Sequence, residues 1–574
     1  MRPVAKTLRD AASAPGNRAW GALLADLDPD PRGERPTSDA GGSLERAWRL
    51  VQLADTLLTN SEAREGVVYT PRRLAQALAA LIPVGSTATL DPCCGKGALL
   101  LAAFERLRQL EAATAPHHHL GRLWGLDVDP LSVATTRVIL ALAAGLPALS
   151  ESEGEAAAAV LRRQIQVADA LFALPFDGPA GGFPALIANP PYRRAARRVR
   201  EDLSRRYSSA LGAFDLFVPF IERSLELLAE GGRAVLVTSN KFLSADYGRG
   251  LRQLLAQQHL EMVFDLTEDR TFEAFIDAAI TVVTRAEPQS TVFARAKRPL
   301  LALSQEVFET FALARGLERE DEWVVAEHLC EPLWGSTPSA PWKLGVLGRN
   351  RLIAARMRAF GLTLGDLFPL RTGVMGFDYH AVVSEIVDGP LEAGERAVAT
   401  NSVLQPCRSL WGCTPVKLAK RPLNQPKLTT KPKALSAAAW RWSGEPKLVI
   451  PGVKSQLMAF YDADGTLAPL VAVHGAAMNE AAGYSLAALL CSRPIRWLFE
   501  REQRGAQIPR GSKRFSVQAL GRIPMPCPLE SVIEALQPVG RALHAAPEDP
   551  DLWFALDQRA LALFGLTSLD IPED

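Results

Sequence analysis

In Ala185-Leu186-Ile187-Ala188-Asn189-Pro190-Pro191-Tyr192 an apolar run leads straight into a turn that cannot prolong it. The first four residues suit a buried strand. Each proline then fixes φ and lacks an N–H, so ladder pairing ends there. Asn189 and Tyr192 are thus expected on a stiff turn at a strand's carboxyl end, where open α/β sheets place their ligands. These residue types fit one chemistry well. An exocyclic amine conjugated to a base ring is a poor nucleophile, and both an Asn side-chain oxygen and a proline carbonyl can accept its hydrogen bonds. They would stabilise the positive charge that develops as the nitrogen attacks a methyl donor. The flat face of Tyr192 can stack on the base that carries the amine. The plainer alternative is a strand-ending turn with Tyr192 as packing, and the preceding sequence weighs against it.

Three earlier strand–turn units share the pattern. Thr89-Leu90-Asp91-Pro92-Cys93-Cys94-Gly95-Lys96-Gly97 reads as a strand, a glycine turn and the start of a helix. The glycines let backbone approach a ligand, and the helix start offers free N–H groups. The turn is neither a P-loop nor a full G-x-G-x-x-G fingerprint. Leu123-Trp124-Gly125-Leu126-Asp127 ends a second strand in an acid, placed to accept ribose hydroxyls. Ile165-Gln166-Val167-Ala168-Asp169 ends a third, and Asp169 can accept from an adenine amino group. Upstream, Thr70 is expected to cap a helix that Pro71 opens.

In this order the motifs resemble those of S-adenosylmethionine-dependent N6-adenine DNA methyltransferases of the gamma (Taq-type) class, as in restriction–modification or phage-defence systems. The likeness runs through Phe214-Asp215-Leu216-Phe217 and the helix–glycine–strand pattern at 227–238, and covers residues 66 to 285. It implies that Tyr69, Thr70 and Pro71 flank the methionine part of S-adenosyl-L-methionine. It further implies that Asp91 and Gly95 line the donor's carboxylate and amine, that Asp127 holds the ribose and that Asp169 holds the adenine. Asn189, Pro190, Pro191 and Tyr192 would form the catalytic turn. Phe275, or alternatively Phe272, would supply a second aromatic on the flipped base. Ala170 departs from the bulky apolar residue that relatives often place against the adenine. The target base must leave the duplex to be reached, at a cost of a few kcal/mol.

The rest of the chain bounds this reading. At 574 residues, two to four domains are expected. The net charge of +1 excludes a uniformly cationic nucleic-acid binder, so any basic surface must be local. Seven scattered cysteines without a C-x-x-C pair imply a reducing, cytoplasmic setting and no structural zinc site, and no metal is expected at His117-His118-His119. No apolar run is long enough to span a bilayer. Residues 43–58 follow a helical pattern, and residues 1–60 hold no nuclease-like constellation. Between Trp411 and Lys454, nine Lys/Arg are interleaved with Trp411, Trp440 and Trp442, and Glu445 is the one acid. This composition suits a phosphate-contacting surface.

The expected fold is α/β, a doubly wound Rossmann-like methyltransferase domain followed by a mixed α/β target-recognition domain. The expected divisions are an N-terminal helical extension (1–60), the methyltransferase domain (61–290), the DNA target-recognition region (291–530) and C-terminal helices (531–574). The partners implied are double-stranded DNA and a separate restriction nuclease or defence subunit, with no membrane. Rival readings are an RNA-base or protein-glutamine methyltransferase, or a non-catalytic DNA-binding subunit. Cytosine N4 is a further possible target.

Overall fold

In a computed structural model of the chain, the described residues are 42–62, 70–83, 85–266, 278–296, 319–320, 324–329, 337, 339–342, 346–373, 379–419, 421–470, 472–503, 507–508 and 512–571. Tyr69, Phe272 and Phe275 lie outside them. The chain divides into two compact units, Met1–Trp342 and Lys343–Asp574.

The first unit begins with α1 (Ser43–Glu62) and α2 (Arg72–Ala80). An alternation of strands and helices follows: β1 (Thr89–Asp91), α3 (Ala98–Leu110), β2 (Leu123–Asp127), α4 (Pro130–Ala143), α5 (Glu151–Gln164), β3 (Ile165–Val167) and β4 (Phe183–Ala188). Then come α6 (Arg197–Arg206), α7 (Phe217–Leu227), β5 (Leu228–Ser239), α8 (Arg249–Leu255), β6 (His259–Asp265), β7 (Ala278–Thr284), β8 (Thr291–Ala296), β9 (Arg319–Glu320) and β10 (Val324–Leu329). One ten-stranded sheet has the order β3-β2-β1-β4-β5-β7-β6-β8-β10-β9. Strands β3, β2, β1, β4 and β5 are mutually parallel, and β7 runs antiparallel between β5 and β6. The central strands are buried on both faces, so β4 reads as a continuous apolar run rather than an alternation. The order reverses between β1 and β4, which opens a crevice at their carboxyl ends.

Helix α1 is part of this core: Ala47, Trp48, Leu50, Val51 and Ala54 pack with residues of α3 and α4. Residues beyond 290 extend the same sheet, because β8 pairs parallel with β6 and β10 pairs antiparallel with β8. Residues 291–296, 319–320 and 324–329 therefore belong with the first unit, not with the target-recognition region expected from residue 291. The strand pairing that decides the matter is non-local and leaves no mark in the segment itself.

The second unit is mixed α/β. One four-stranded sheet joins Arg371–Thr372, Val473–Ala477, Lys447–Pro451 and Phe460–Asp462, all antiparallel. Another joins Val387–Asp388, Pro426–Leu428, Arg396–Ala399 and Leu467–Pro469. Helices Glu480–Cys491, Leu529–Ala545 and Pro550–Leu563 share one core through Leu486, Leu489, Leu536, Leu543 and Leu556. The closing helices expected over 531–574 therefore belong to the body of this unit.

Candidate active site

The turn after β1 is built on two left-handed glycines. Gly95 has φ +51° and Gly97 φ +84°, and a Cβ on Gly97 would stand 2.9 Å from Thr136 Cγ2. A side chain there would meet both backbone strain and a clash. The turn is tied to its neighbours from both sides. Gly95 N–H donates to Asp127 Oδ2 (2.9 Å), Thr136 Oγ1 donates to the Gly95 carbonyl (2.8 Å), and Cys94 N–H donates to the Leu126 carbonyl (2.8 Å). Asp129 N–H donates to Asp127 Oδ1 (2.9 Å), and Asp129 caps α4 through Leu131 and Ser132 N–H. The second acid of the Asp-Val-Asp segment is thus a helix cap, and the first is held in place by backbone.

Asp91 is 1% exposed. Its Oδ1 accepts from Cys93 N–H (3.1 Å), and its buried Oδ2 has no hydrogen-bond partner among the described residues. Burial, and secondarily the neighbouring Asp127 carboxylate, pushes its pKa up to about 8. Burial also raises the Asp127 pKa, and the backbone N–H groups of Asp129 and Gly95 work against that rise. Asp169 follows β3, half-buried, and accepts from Leu171 N–H (3.1 Å).

At the end of β4, Asn189 Nδ2 donates to Thr70 Oγ1 at 3.0 Å across 119 residues of sequence. Thr70 was expected to cap α2. Instead Pro71 occupies the cap position, no side chain caps the helix, and the buried Thr70 hydroxyl serves Asn189. Pro190 is buried and Pro191 half-buried. The Tyr192 hydroxyl is buried without a partner among the described residues, and burial drives its pKa upward. Its ring meets Phe217 edge-on, with 6.4 Å between centroids. Behind the turn, Leu216 N–H donates to the Arg193 carbonyl (2.8 Å), and the backbones of Arg194 and Asp215 form an isolated antiparallel β-bridge. The Phe-Asp-Leu-Phe segment is therefore the brace of the Asn-Pro-Pro-Tyr turn.

A cavity of about 350 Å³ brings together Thr70, Asp91, Gly95, Asp127, Asp169, Asn189 and Pro191. Pro71, Pro190 and Tyr192 are not in its lining. Lining residues missed in the sequence include Val128, 62% exposed, and Phe172, 42% exposed. Large apolar side chains open to a polar-ended cavity suit a flat ring between them. Phe172 lies two residues past Ala170, and supplies a bulk that Ala170 lacks. The only signal was the Leu171-Phe172 pair after the acid, which also reads as ordinary core.

The order of five parallel strands with an antiparallel β7, and a polar site at the switch point, decide the fold. It is the Rossmann-like methyltransferase fold. Residues 121–272 match the family described as Eco57I restriction-modification methylase. The chain is 30% identical over 218 residues to the type II methyltransferase M.PaeR7I of Pseudomonas aeruginosa, covering 35% of this chain and 36% of that one. It is 29% identical over 270 residues to the type II methyltransferase M.XhoI of Xanthomonas vasicola, covering 43% and 48%. The matches thus span less than half the length of these relatives. The structure of a DrdV–DNA complex aligns over 92% of this chain and 61% of that chain, with a TM-score of 0.50 and 14% identity. S-adenosylmethionine is the donor that this fold and family imply. Among the described residues no helix is long and apolar enough to cross a membrane.

The cavity fits that donor. An amino-acid end needs a buried carboxyl group beside its ammonium, and Asp91, with its orphaned Oδ2, supplies one. Nothing lies within 4 Å of a Cβ position on Gly95, so backbone is open to a carboxylate there. Asp127 keeps acceptor capacity beyond its backbone N–H partners, because each carboxylate oxygen has two lone pairs. The apolar Val128 and Phe172 suit the adenine ring.

Proposed function

We propose that the chain is a site-specific DNA methyltransferase that transfers the methyl group of S-adenosylmethionine to N6 of an adenine turned out of the duplex, in a restriction–modification or phage-defence system. The observation that carries the reading is the hydrogen bond from Asn189 Nδ2 to Thr70 Oγ1 at the rim of the cavity that holds Asp91, Asp127 and Asp169. With its N–H engaged by Thr70, the Asn189 amide presents Oδ1 as the acceptor for an incoming amine.

In this reading Asp91 binds the donor's ammonium, Asp127 its ribose and Asp169 its adenine amino group, with Val128 and Phe172 against the ring. Bound there, the donor supplies a sulfonium methyl that is electrophilic without a metal. Asn189 Oδ1 and the Pro190 carbonyl accept hydrogen bonds from the target amine and stabilise the positive charge that grows on its nitrogen. Tyr192, braced by Phe217, stacks on the base and offsets part of the cost of extrusion. The nitrogen–carbon bond forms as the carbon–sulfur bond breaks. The bond's electron pair leaves with sulfur, and the methylated amine sheds one proton to water. Tyr69 and Phe275 are assigned by the resemblance alone, as flanking the donor and the flipped base.

Target recognition is assigned to the second unit on its exposed cations, which include Lys417, Arg421, Lys431, Lys433 and Arg441. A restriction nuclease or defence subunit is the partner this reading implies. The test is transfer of labelled methyl to mixed genomic DNA, with modified nucleosides identified by mass spectrometry and Asn189→Ala run alongside. N6-methyladenine from the wild type and about a hundredfold less or lower still from the variant is the expected result. Label in N4-methylcytosine, RNA or protein would overturn the substrate assignment, and no label at all would overturn the catalytic one.

A further inference from the structure

The chain that leaves the Asn-Pro-Pro-Tyr turn carries Arg193, Arg194, Arg197, Arg198 and Arg200 within eight residues, with no acid among them. Arg193, Arg194, Arg197 and Arg198 are exposed, and Arg200 is half-buried. Arg194, Arg198 and Arg200 make no ion pair among the described residues, and Arg197 has only a loose, exposed one, 3.6 Å from Glu201. The far half of α6 differs: Glu201 and Asp202 stand one turn before Arg205 and Arg206, and Arg205 pairs with Asp202 at 3.2 Å. Positive charge is therefore concentrated at the end of the segment nearest the catalytic turn.

That end is an unfavourable place for it. The opening residues of α6 contain no acid, and the helix has no side-chain cap. Cations beside a helix N-terminus oppose the macrodipole. Arginines kept there at a cost to the helix need another partner. Their position is fixed: the bridge from Arg194 to Asp215 and the bond from Leu216 N–H to the Arg193 carbonyl lock the segment to the brace of the turn. Arg193 and Val199 also line the cavity beside Asn189 and Pro191.

We propose that residues 193–200 form a phosphate-contacting surface that grips the duplex backbone next to the extruded base. The inference rests on the DNA-methyltransferase reading and adds to it the place where the backbone is held. The guanidinium groups of Arg194, Arg198 and Arg200, without carboxylate partners among the described residues, match phosphate oxygens in charge and shape. A backbone grip there is independent of sequence: it fixes register at the catalytic turn and leaves base reading to other residues.

The variant Arg194→Gln/Arg197→Gln/Arg198→Gln tests it, with Arg193 and Val199 left intact because they line the cavity. Duplex binding of cognate and unrelated sequences is measured between about 50 and 200 mM salt, where each lost phosphate contact removes about 0.9 from the slope of log K against log salt. The expected result is a slope smaller by about 2 to 3, with equal weakening for both sequences. Donor affinity and the unfolding midpoint should hold or, for the midpoint, rise slightly, because cations have left a helix start. A wild type that methylates duplex DNA while the variant keeps its slope and affinity overturns the surface alone. Weakening confined to the cognate sequence also overturns it, by making the arginines base readers. A wild type that does not methylate duplex DNA overturns the underlying reading and the surface with it.

Discussion

Asp91 in the first unit and Lys447 in the second are both almost wholly buried ionisable residues, and their company is opposite. Lys447 is 0% exposed, and its Nζ donates to Asp462 Oδ2 (2.6 Å) and to the carbonyls of Ser443 (2.9 Å) and Glu445 (3.0 Å). Asp462 in turn accepts from Leu467 and Thr466 N–H. All three ammonium donors are used. Asp91 has one N–H partner, an orphaned oxygen and a second acid nearby. A complete set of partners marks a group that holds the fold together. An incomplete set around a cavity marks a group that waits for a ligand.

The largest expected effect tests the first half of that contrast. Lys447→Met leaves Asp462 buried without its counter-ion and should cost about 3–5 kcal/mol in denaturant unfolding. A loss under about 1 kcal/mol would mean that the pair is replaceable packing. On the other side, Asn189→Ala should lower methyl transfer by about 10²–10³-fold at unchanged unfolding midpoint, the scale of one lost transition-state hydrogen bond. Asp91→Asn sharpens the comparison through pH. The folded pKa of about 8 lies above the ordinary carboxylate value of 3.8, so the folded state retains a proton that the unfolded chain releases. This group's contribution is therefore most favourable below pH 4 and declines as pH rises towards 8, by at most about 1.4 kcal/mol per unit. The variant should match the wild type near pH 4, exceed it in stability at pH 8, and bind the donor more weakly. Thermal unfolding across that range, beside a donor titration, reads both; a stability difference independent of pH would show that Asp91 is satisfied after all.

Thr70→Val should lower kcat about tenfold while donor affinity changes less, because the Asn189 amide loses the hydroxyl that orients it. Thr70→Ser should restore the rate; equal losses in both variants would reduce Thr70 to packing. The smallest effect is expected at exposed cations of the second unit. Lys433→Ala should stay within about 0.5 kcal/mol of the wild type in unfolding experiments.

The four strand ends were legible in the sequence because glycine, proline and acid act locally: each fixes its own turn, and their order fixes the sheet. Partners far along the chain were not. Thr70 looked like a helix cap, since nothing near it reveals an amide 119 residues away. The basic stretch from Trp411 to Lys454 looked like a single phosphate-contacting surface. Yet Lys427 is buried against Glu395 (2.6 Å) and Lys447 against Asp462, acids that both lie outside the stretch. Trp442 is buried, and Trp411 Nε1 donates to the Pro426 carbonyl (2.8 Å). A charge tally in a window cannot see counter-ions supplied from elsewhere. The arginines at 193–200 were overlooked for the opposite reason: a short, ordinary-looking helix becomes informative only once its neighbours are known.

Trp342, the last residue of the first unit, fixes where this protein can be divided. It is 2% exposed, its N–H donates to the Leu243 carbonyl (2.7 Å), and its ring meets Phe242 and Phe293 edge-on. Arg252 holds the preceding turn through the Ser339 carbonyl. The chain between the units is therefore stoppered at its upstream end. A split-protein or domain-exchange experiment that cuts before residue 339 would pull a plug from the first unit, whereas a junction placed just after Trp342 would carry the plug with it.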